Sequence, residues 1–334
     1  MKRFIFAAAI SIILLIFLLS QINIHEIFHI ILKIDIISLL LGILFYFLQY
    51  IGRVLRFSFI LLNDSPKILL IFNIVCIHNF LNHILPARIG ESSYIVLMNR
   101  YGKVPLMNCF SSLLIARILD LVSIISIFSI SLVTISSLRS DGYLLETVCF
   151  AFFIVAFMGS ILYFIKPITE TVLQLAEKSM KCFTPSPPSW FTWIGNKMKS
   201  LAIEFGIVQN KKNFMLLNII SLFIWASNVG MFYILLKGFG FNIHFVTVAL
   251  GSTGAALTNI LPINGFGSFG TLEAGWALAF VCVGLDKAMA ISSGFGIHVV
   301  AFLYATLLAL FGYIAMFGIS FKRNLKSIGL GSID

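Results

Sequence analysis

The chain has 334 residues, of which 60% are hydrophobic and 11% charged. That balance excludes a soluble globular domain, and at roughly 20 apolar residues per crossing the runs allow about six to nine helical segments in one membrane domain. The net charge of +10 is dispersed among the segments between those runs and forms no basic stripe, which excludes a nucleic-acid partner and reads as membrane topology.

In chain order, Met1-Lys2-Arg3 and the apolar run to about residue 22 have the outline of a signal peptide. The run is long and no small-residue cleavage site follows it, so it is read as a retained first helix. A second span is expected over about 34–62, with Arg53 and Arg56 in its last third. The next region, about 68–98, is interrupted by Asn82-His83-Ile84-Leu85-Pro86-Ala87-Arg88-Ile89-Gly90-Glu91. Broken backbone at membrane depth survives only where protein or a water-filled cavity surrounds it, so this stretch is expected to be a re-entrant turn lining a pocket. A long span over about 106–135 carries Arg117 and Asp120 near its middle, and a turn at 138–142 leads to a span over about 143–165.

Residues 166–212 form the extended polar stretch, with seven lysines against three glutamates. Within it Trp190, Ile194, Met198, Leu201, Phe205 and Val208 recur at three- and four-residue steps. That spacing predicts an amphipathic helix, lying either in the membrane interface or on the protein's own cytoplasmic surface. A span over about 214–236 follows, then a second interrupted region over about 244–284 containing Asn259-Ile260-Leu261-Pro262-Ile263-Asn264-Gly265-Phe266-Gly267-Ser268-Phe269-Gly270 and Glu273. A final span, about 287–319, precedes the basic residues Lys322, Arg323 and Lys326. Counting positive charge places the N-terminus, the 166–212 loop and the C-terminus in the cytoplasm of a multi-pass cell-membrane protein.

The expected fold is an all-α polytopic membrane protein with about six spanning helices and two re-entrant broken-helix regions. The two Leu-Pro breaks, Leu85-Pro86 and Leu261-Pro262, lie 176 positions apart, and the flanking spans repeat at close to the same offset. Residues 1–137 and 138–334, the latter with the insertion 166–212, therefore read as an inverted repeat within one domain, an architecture that permits alternating access.

Ionisable residues inside a membrane are expensive, about 2.5 to 3.5 kcal/mol each at mid-depth on insertion scales, and are functional candidates by default. Arg117 and Asp120, three residues apart, share a helix face, and a structural ion pair competes with a functional one there. Arg53 and Arg56 also share a face without local partners. They suit an anionic lipid phosphate, with snorkelling to the headgroups as the competing reading. Arg88 and Glu91 follow the first break, where Pro86 is placed to begin a short helix whose amide end can hold a phosphate. Glu273 follows the second break in the same way. Gly90 belongs to the first break, and Gly265, Gly267 and Gly270 permit close backbone approach at the second. Asn82, Asn259 and Asn264 are expected to satisfy amides freed by the breaks. His78, His83 and His298 lack metal-ligand spacing and read as hydrogen-bonded interior residues, and the five scattered cysteines read as packing residues. No hydrolase, P-loop or paired-carboxylate signature is present in the sequence, so neither an enzyme nor a cofactor is expected.

Arg53-Val54-Leu55-Arg56-Phe57, Leu85-Pro86-Ala87-Arg88-Ile89-Gly90-Glu91, Ala116-Arg117-Ile118-Leu119-Asp120 and Gly267-Ser268-Phe269-Gly270-Thr271-Leu272-Glu273 resemble, in order, the motifs of the lysylphosphatidylglycerol synthase transmembrane-region family. This flippase-like domain is also found at the N-terminus of multiple peptide resistance factors. Ser268 and Phe269 depart from the usual Gly-Gly-Leu-Gly. The resemblance implies a membrane protein that moves lipids or lipid-linked headgroups between leaflets. In the fused proteins an aminoacyl-transferase domain follows the membrane region; this sequence reaches Asp334 without one, so the expectation is a translocating unit without the synthase.

The function expected is thus a lipid translocase. Arg53, Arg56, Arg88 and Arg117 would hold an anionic headgroup, and Glu91, Asp120 and Glu273 would balance charge or bind a cationic part of the lipid. The expected partners are a membrane phospholipid or lipid-linked substrate and a separate lipid-modifying enzyme. The competing readings are a lipid-binding scaffold for such an enzyme and, with less support, an intramembrane lipid-phosphate enzyme using His83 or Glu91.

Overall fold

The computed structural model describes residues 13–21, 31–61, 66–86, 89–139, 144–183, 188–258 and 266–327, and among these the chain is helical with no strand. After a short helix over 13–19, the helices are α1 (Ile36–Ile60), α2 (Ile68–Ile84), α3 (Gly90–Gly102), α4 (Leu106–Arg139), α5 (Leu144–Phe183), α6 (Ser189–Glu204), α7 (Gly206–Gln209), α8 (Lys211–Gly238), α9 (Phe245–Thr258), α10 (Thr271–Cys282) and α11 (Lys287–Ser327).

Local chemistry sets several boundaries. Asp35 caps α1, accepting from the Ser38 amide at 2.8 Å and from its hydroxyl at 2.7 Å. These bonds hold the Asp35 carboxyl below its ordinary pKa. Asn210 caps α8 by accepting from the amides of Lys212 and Asn213. Asp286 caps α11 through the amides of Ala288 and Met289. The chain leaves α2 at Leu85-Pro86, since proline cannot continue the amide ladder.

Among the described residues four helices are long and apolar enough to cross a membrane: Ile36–Ile60, Leu106–Ser137, Lys211–Gly238 and Lys287–Met316. They match four of the expected spans. The expected first helix lies largely outside the described residues, and the span over 143–165 falls in the first part of the 40-residue α5, most of whose side chains there are outside the description. Leu303, Leu307, Leu310 and Ile314 recur at three- and four-residue steps on α11 and are all more than half exposed. Such a stripe requires an apolar solvent.

Between the long helices lie shorter ones. α2, α9 and α10, with 17, 14 and 12 residues, are apolar. α3 is of similar length but polar, carrying Glu91, Ser92, Ser93, Asn99 and Arg100. The order long, short, short, long therefore occurs twice. The second set begins 175 to 181 residues after the first, pairing Ile36 with Lys211, Ile68 with Phe245, Gly90 with Thr271 and Leu106 with Lys287. Packing repeats as well: α2 against α11 matches α9 against α4, α2–α3 matches α9–α10, and α3–α4 matches α10–α11. The equivalent helices α1 and α8 pack on one another. Gly42, Gly52, Gly230 and Gly238 let their backbones approach, each meeting a side chain of the facing helix.

The expected amphipathic helix is α6 with its continuation α7. Its apolar face divides: Phe205 and Val208 are 4% and 0% exposed, in a cluster with Ile60, Ile115, Leu119 and Leu217, whereas Met198 is exposed. The C-terminal end of the segment is therefore docked on the bundle. Cys76 and Cys109 are buried as expected for packing residues, but Cys149 and Cys282 are exposed on helix faces.

Candidate functional site

Arg56 is 1% exposed, and its guanidinium makes paired contacts with both oxygens of Asp120, at 2.7 and 3.3 Å. It also donates to Ser221 Oγ on α8 at 3.1 Å. Asp120 Oδ1 accepts a further bond from Trp225 Nε1 at 3.0 Å. One carboxylate thus ties α1, α4 and α8 together. Snorkelling does not describe Arg56, which is enclosed by the bundle. Burying both charges is tolerable because each meets an opposite charge and further polar groups.

Arg117 lies one helical turn before Asp120 and approaches its other oxygen at 3.5 Å. It also meets Glu91 at 3.2 Å, linking α4 to the first turn of α3. Here the side chains open outward: Arg117 is 30% and Glu91 21% exposed. Arg53, a turn before Arg56 on α1, donates to Asn79 on α2 at 3.2 Å. No carboxylate lies within 4 Å of it among the described residues, and its Nε is buried without a partner. Three guanidinium groups therefore face two carboxylates, leaving the described cluster cationic. Arg88 lies outside the described residues, directly before the α3 turn that carries Glu91.

The first break is held by a few backbone bonds. Leu85 N–H donates to Leu81 O, Ile89 N–H to Pro86 O and Ser92 N–H to Ile89 O. Pro86 is buried in this turn. Gly90 presses on the α2 backbone, where an added Cβ would collide with Asn82 and Leu81. The Gly90 carbonyl is also bonded by Ser93 Oγ and lies 3.2 Å from His78 Nδ1. Asn82 does not satisfy a freed amide as expected: its Oδ1 is buried without a hydrogen-bond partner. Neighbouring carbonyls took that role because the break is one tight turn.

At the second break, Asn259, Pro262, Asn264 and Gly265 lie outside the described residues. Beyond them Gly267 and Gly270 hold φ of 65° and 83°, and Ser268 holds 55°. Glu273 sits in the first turn of α10, 0% exposed; its Oε2 accepts from Gly270 N–H at 2.7 Å, and Oε1 lies 2.6 Å from His298 Nδ1 on α11. Phe269 covers the imidazole, with centroids 4.4 Å apart. Sequence reasoning grouped Glu273 with the arginines, but the structure gives it a histidine partner. It also missed Trp225, Ser221 and Asn79, which lie in apolar runs without a distinguishing spacing.

Among the described residues no group of three or more potential ligands could hold a metal ion. The described arginine cluster is an arrangement of fixed charges and hydrogen bonds, chemistry that suits an anion beside a carboxylate.

No curated protein matches this chain. The family model described as the lysylphosphatidylglycerol synthase TM region matches residues 4–309, and the chain belongs to that family.

Proposed function

We propose that the protein is a lipid translocase, carrying an anionic or aminoacylated phospholipid, or a lipid-linked headgroup, between membrane leaflets. The observation that carries this reading is the excess guanidinium charge held between apolar helices among the described residues, with Arg117 and Glu91 partly open and Arg53 unmatched by a described carboxylate. A lipid phosphate is the complementary partner for such a cluster, and the acyl chains would stay in the bilayer. Arg56 is committed to Asp120 and Ser221, so its role is to hold the cluster together. Arg53 and Arg117, with Arg88 beside them in sequence, are the headgroup-binding cations, and Glu91 receives a cationic headgroup part. The two broken regions act as re-entrant elements of an inverted repeat, with both termini cytoplasmic.

The test is leaflet-resolved movement of labelled anionic, zwitterionic and aminoacylated phospholipids in proteoliposomes, for wild type, Arg53→Ala and Arg117→Ala. Movement of anionic or aminoacylated lipid that is lost in folded variants supports translocation. If folded wild type binds anionic lipid but moves none of the panel, the protein is a lipid-binding scaffold for a lipid-modifying enzyme.

A further inference from the structure

Glu273 and His298 have two properties that a structural ion pair does not require. Both Glu273 oxygens are occupied, one by Gly270 N–H and the other by His298 Nδ1, whereas His298 Nε2 is buried and has no hydrogen-bond partner. His298 itself is 1% exposed. A buried polar atom left unpaired costs free energy, and its retention asks for a second state in which it is used.

The chemistry of that state follows from the bonds. With Nδ1–H donated to ionised Glu273, the neutral ring presents a lone pair at Nε2 and the pair carries one negative charge. A proton arriving at Nε2 yields imidazolium beside carboxylate, a neutral pair, and leaves the contact at Nδ1 intact. Loading and unloading one proton thus changes the buried charge without dismantling the site.

The surroundings bear on the same atom. From α2, His83 lies within electrostatic reach of both His298 and Arg53. α9 brings no titratable side chain, α8 brings Lys211, Lys212, Tyr233 and Lys237 toward its ends, and α1 brings Tyr46, Tyr50 and Arg56 besides Arg53. Along α2, Asn79 Nδ2 and Asn82 Oδ1 are also buried without partners, on the helix that separates the arginine cluster from the Glu273–His298 pair.

We propose that the Glu273–His298 pair is a proton site that couples proton movement to lipid translocation, an inference that rests on the translocase reading above. A proton enters at His298 Nε2 from one aqueous side, the neutral pair moves with α10 and α11 relative to α2 without carrying net buried charge, and the proton leaves on the other side. No bond to the lipid forms or breaks.

Two measurements test this. In proteoliposomes, a pH gradient is expected to shift the steady-state leaflet distribution of labelled phosphatidylglycerol severalfold for wild type, and His298→Gln to abolish that response. In detergent, infrared difference spectra of histidine-isotope-labelled wild type, recorded between acid and alkaline buffer, are expected to contain an imidazole-to-imidazolium component from His298. Subtracting the His298→Gln spectrum, which retains the contributions of His244 and the other histidines, should isolate that component, and Glu273→Gln should alter it. Lipid movement indifferent to the gradient overturns the coupling while leaving translocation standing. A wild type that moves no lipid yet shows the titration retains the proton site and loses the translocase reading. Spectra identical in wild type and His298→Gln overturn the proton site whatever the lipid does.

Discussion

Arg56 on α1 and Asp120 on α4 meet through two contacts, 2.7 and 3.3 Å, at side chains 2% and 8% exposed. Removing one partner leaves a buried charge unpaired, at a cost of about 3–5 kcal/mol, whereas replacing both by apolar side chains of similar volume is often near neutral. Arg56→Met and Asp120→Leu should each abolish most folded protein, and the double variant should recover much of it. Thermal unfolding in detergent, read by size exclusion, gives the coupling as a double-mutant cycle. Equal, additive losses would show that the pair does not hold the bundle together.

Arg117 and Glu91 should behave differently because both are partly exposed. Glu91→Gln and Arg117→Gln are expected to cost about 1 kcal/mol or less in stability, the range of exposed ion pairs. Movement of anionic lipid should nevertheless fall sharply in Arg117→Gln. An Arg117→Gln protein with wild-type transport would remove Arg117 from the headgroup site.

The docked end of the amphipathic segment offers a test of packing. Phe205 is 4% exposed against Ile60, Ile115 and Leu217, and truncating a buried Phe to Ala costs about 3–5 kcal/mol. Phe205→Ala should lower the melting temperature and speed proteolysis within 184–212, while Met198→Ala, at an exposed position, should do neither.

The order of long and short helices is legible in the sequence because span length and hydropathy are direct consequences of membrane thickness. Charge within an apolar run likewise marks Arg53, Arg56, Arg117 and Asp120, since each is too costly there to be incidental. The pairings are not legible. Arg56 finds its partner 64 residues away, and Glu273 finds His298 25 residues away on a different helix, so neither distance in sequence nor helical spacing predicts the contact. Trp225 and Ser221 are polar groups in an apolar run, and only the packing of α8 against α1 and α4 shows that Trp225 meets the Asp120 carboxylate and Ser221 the Arg56 guanidinium. The division of the amphipathic face at Phe205 depends on where the bundle offers a groove, which periodicity alone does not encode.

The turn before α10 carries a contrast between neighbours. Ser268 holds φ of 55°, a left-handed conformation that costs a side-chain-bearing residue roughly 1–2 kcal/mol. Ser268→Gly removes that cost and adds freedom to the unfolded chain, so the net change should lie within about 1 kcal/mol, on the stabilising side. Gly270 holds φ 83° and ψ −50°, outside the regions open to other residues, and its N–H anchors Glu273. Gly270→Ala should therefore destabilise by about 1–3 kcal/mol and disturb the Glu273–His298 contact. Melting temperatures of the two variants, compared in one detergent, decide whether this turn is strained as described.

Gly90 gives the most direct link between packing and the charge cluster. A Cβ there would enter the α2 backbone at Asn82 and the Leu81 carbonyl, and backbone cannot rotate aside as a side chain can. Gly90→Ala must push α3 from α2, disturbing the contact between His78 and the Gly90 carbonyl and drawing Glu91 from Arg117. Overpacking of this kind costs typically about 1–3 kcal/mol, and a backbone collision belongs at the upper end. The control is Gly206→Ala, whose added Cβ meets only Lys166 Nζ at 3.5 Å and should stay within about 0.5 kcal/mol. If the cluster depends on the α2–α3 contact, Gly90→Ala loses lipid movement even in the fraction that remains folded, whereas Gly206→Ala keeps both. Transport by Gly90→Ala in proportion to its folded fraction would mean that the position of Glu91 against Arg117 does not matter for moving lipid.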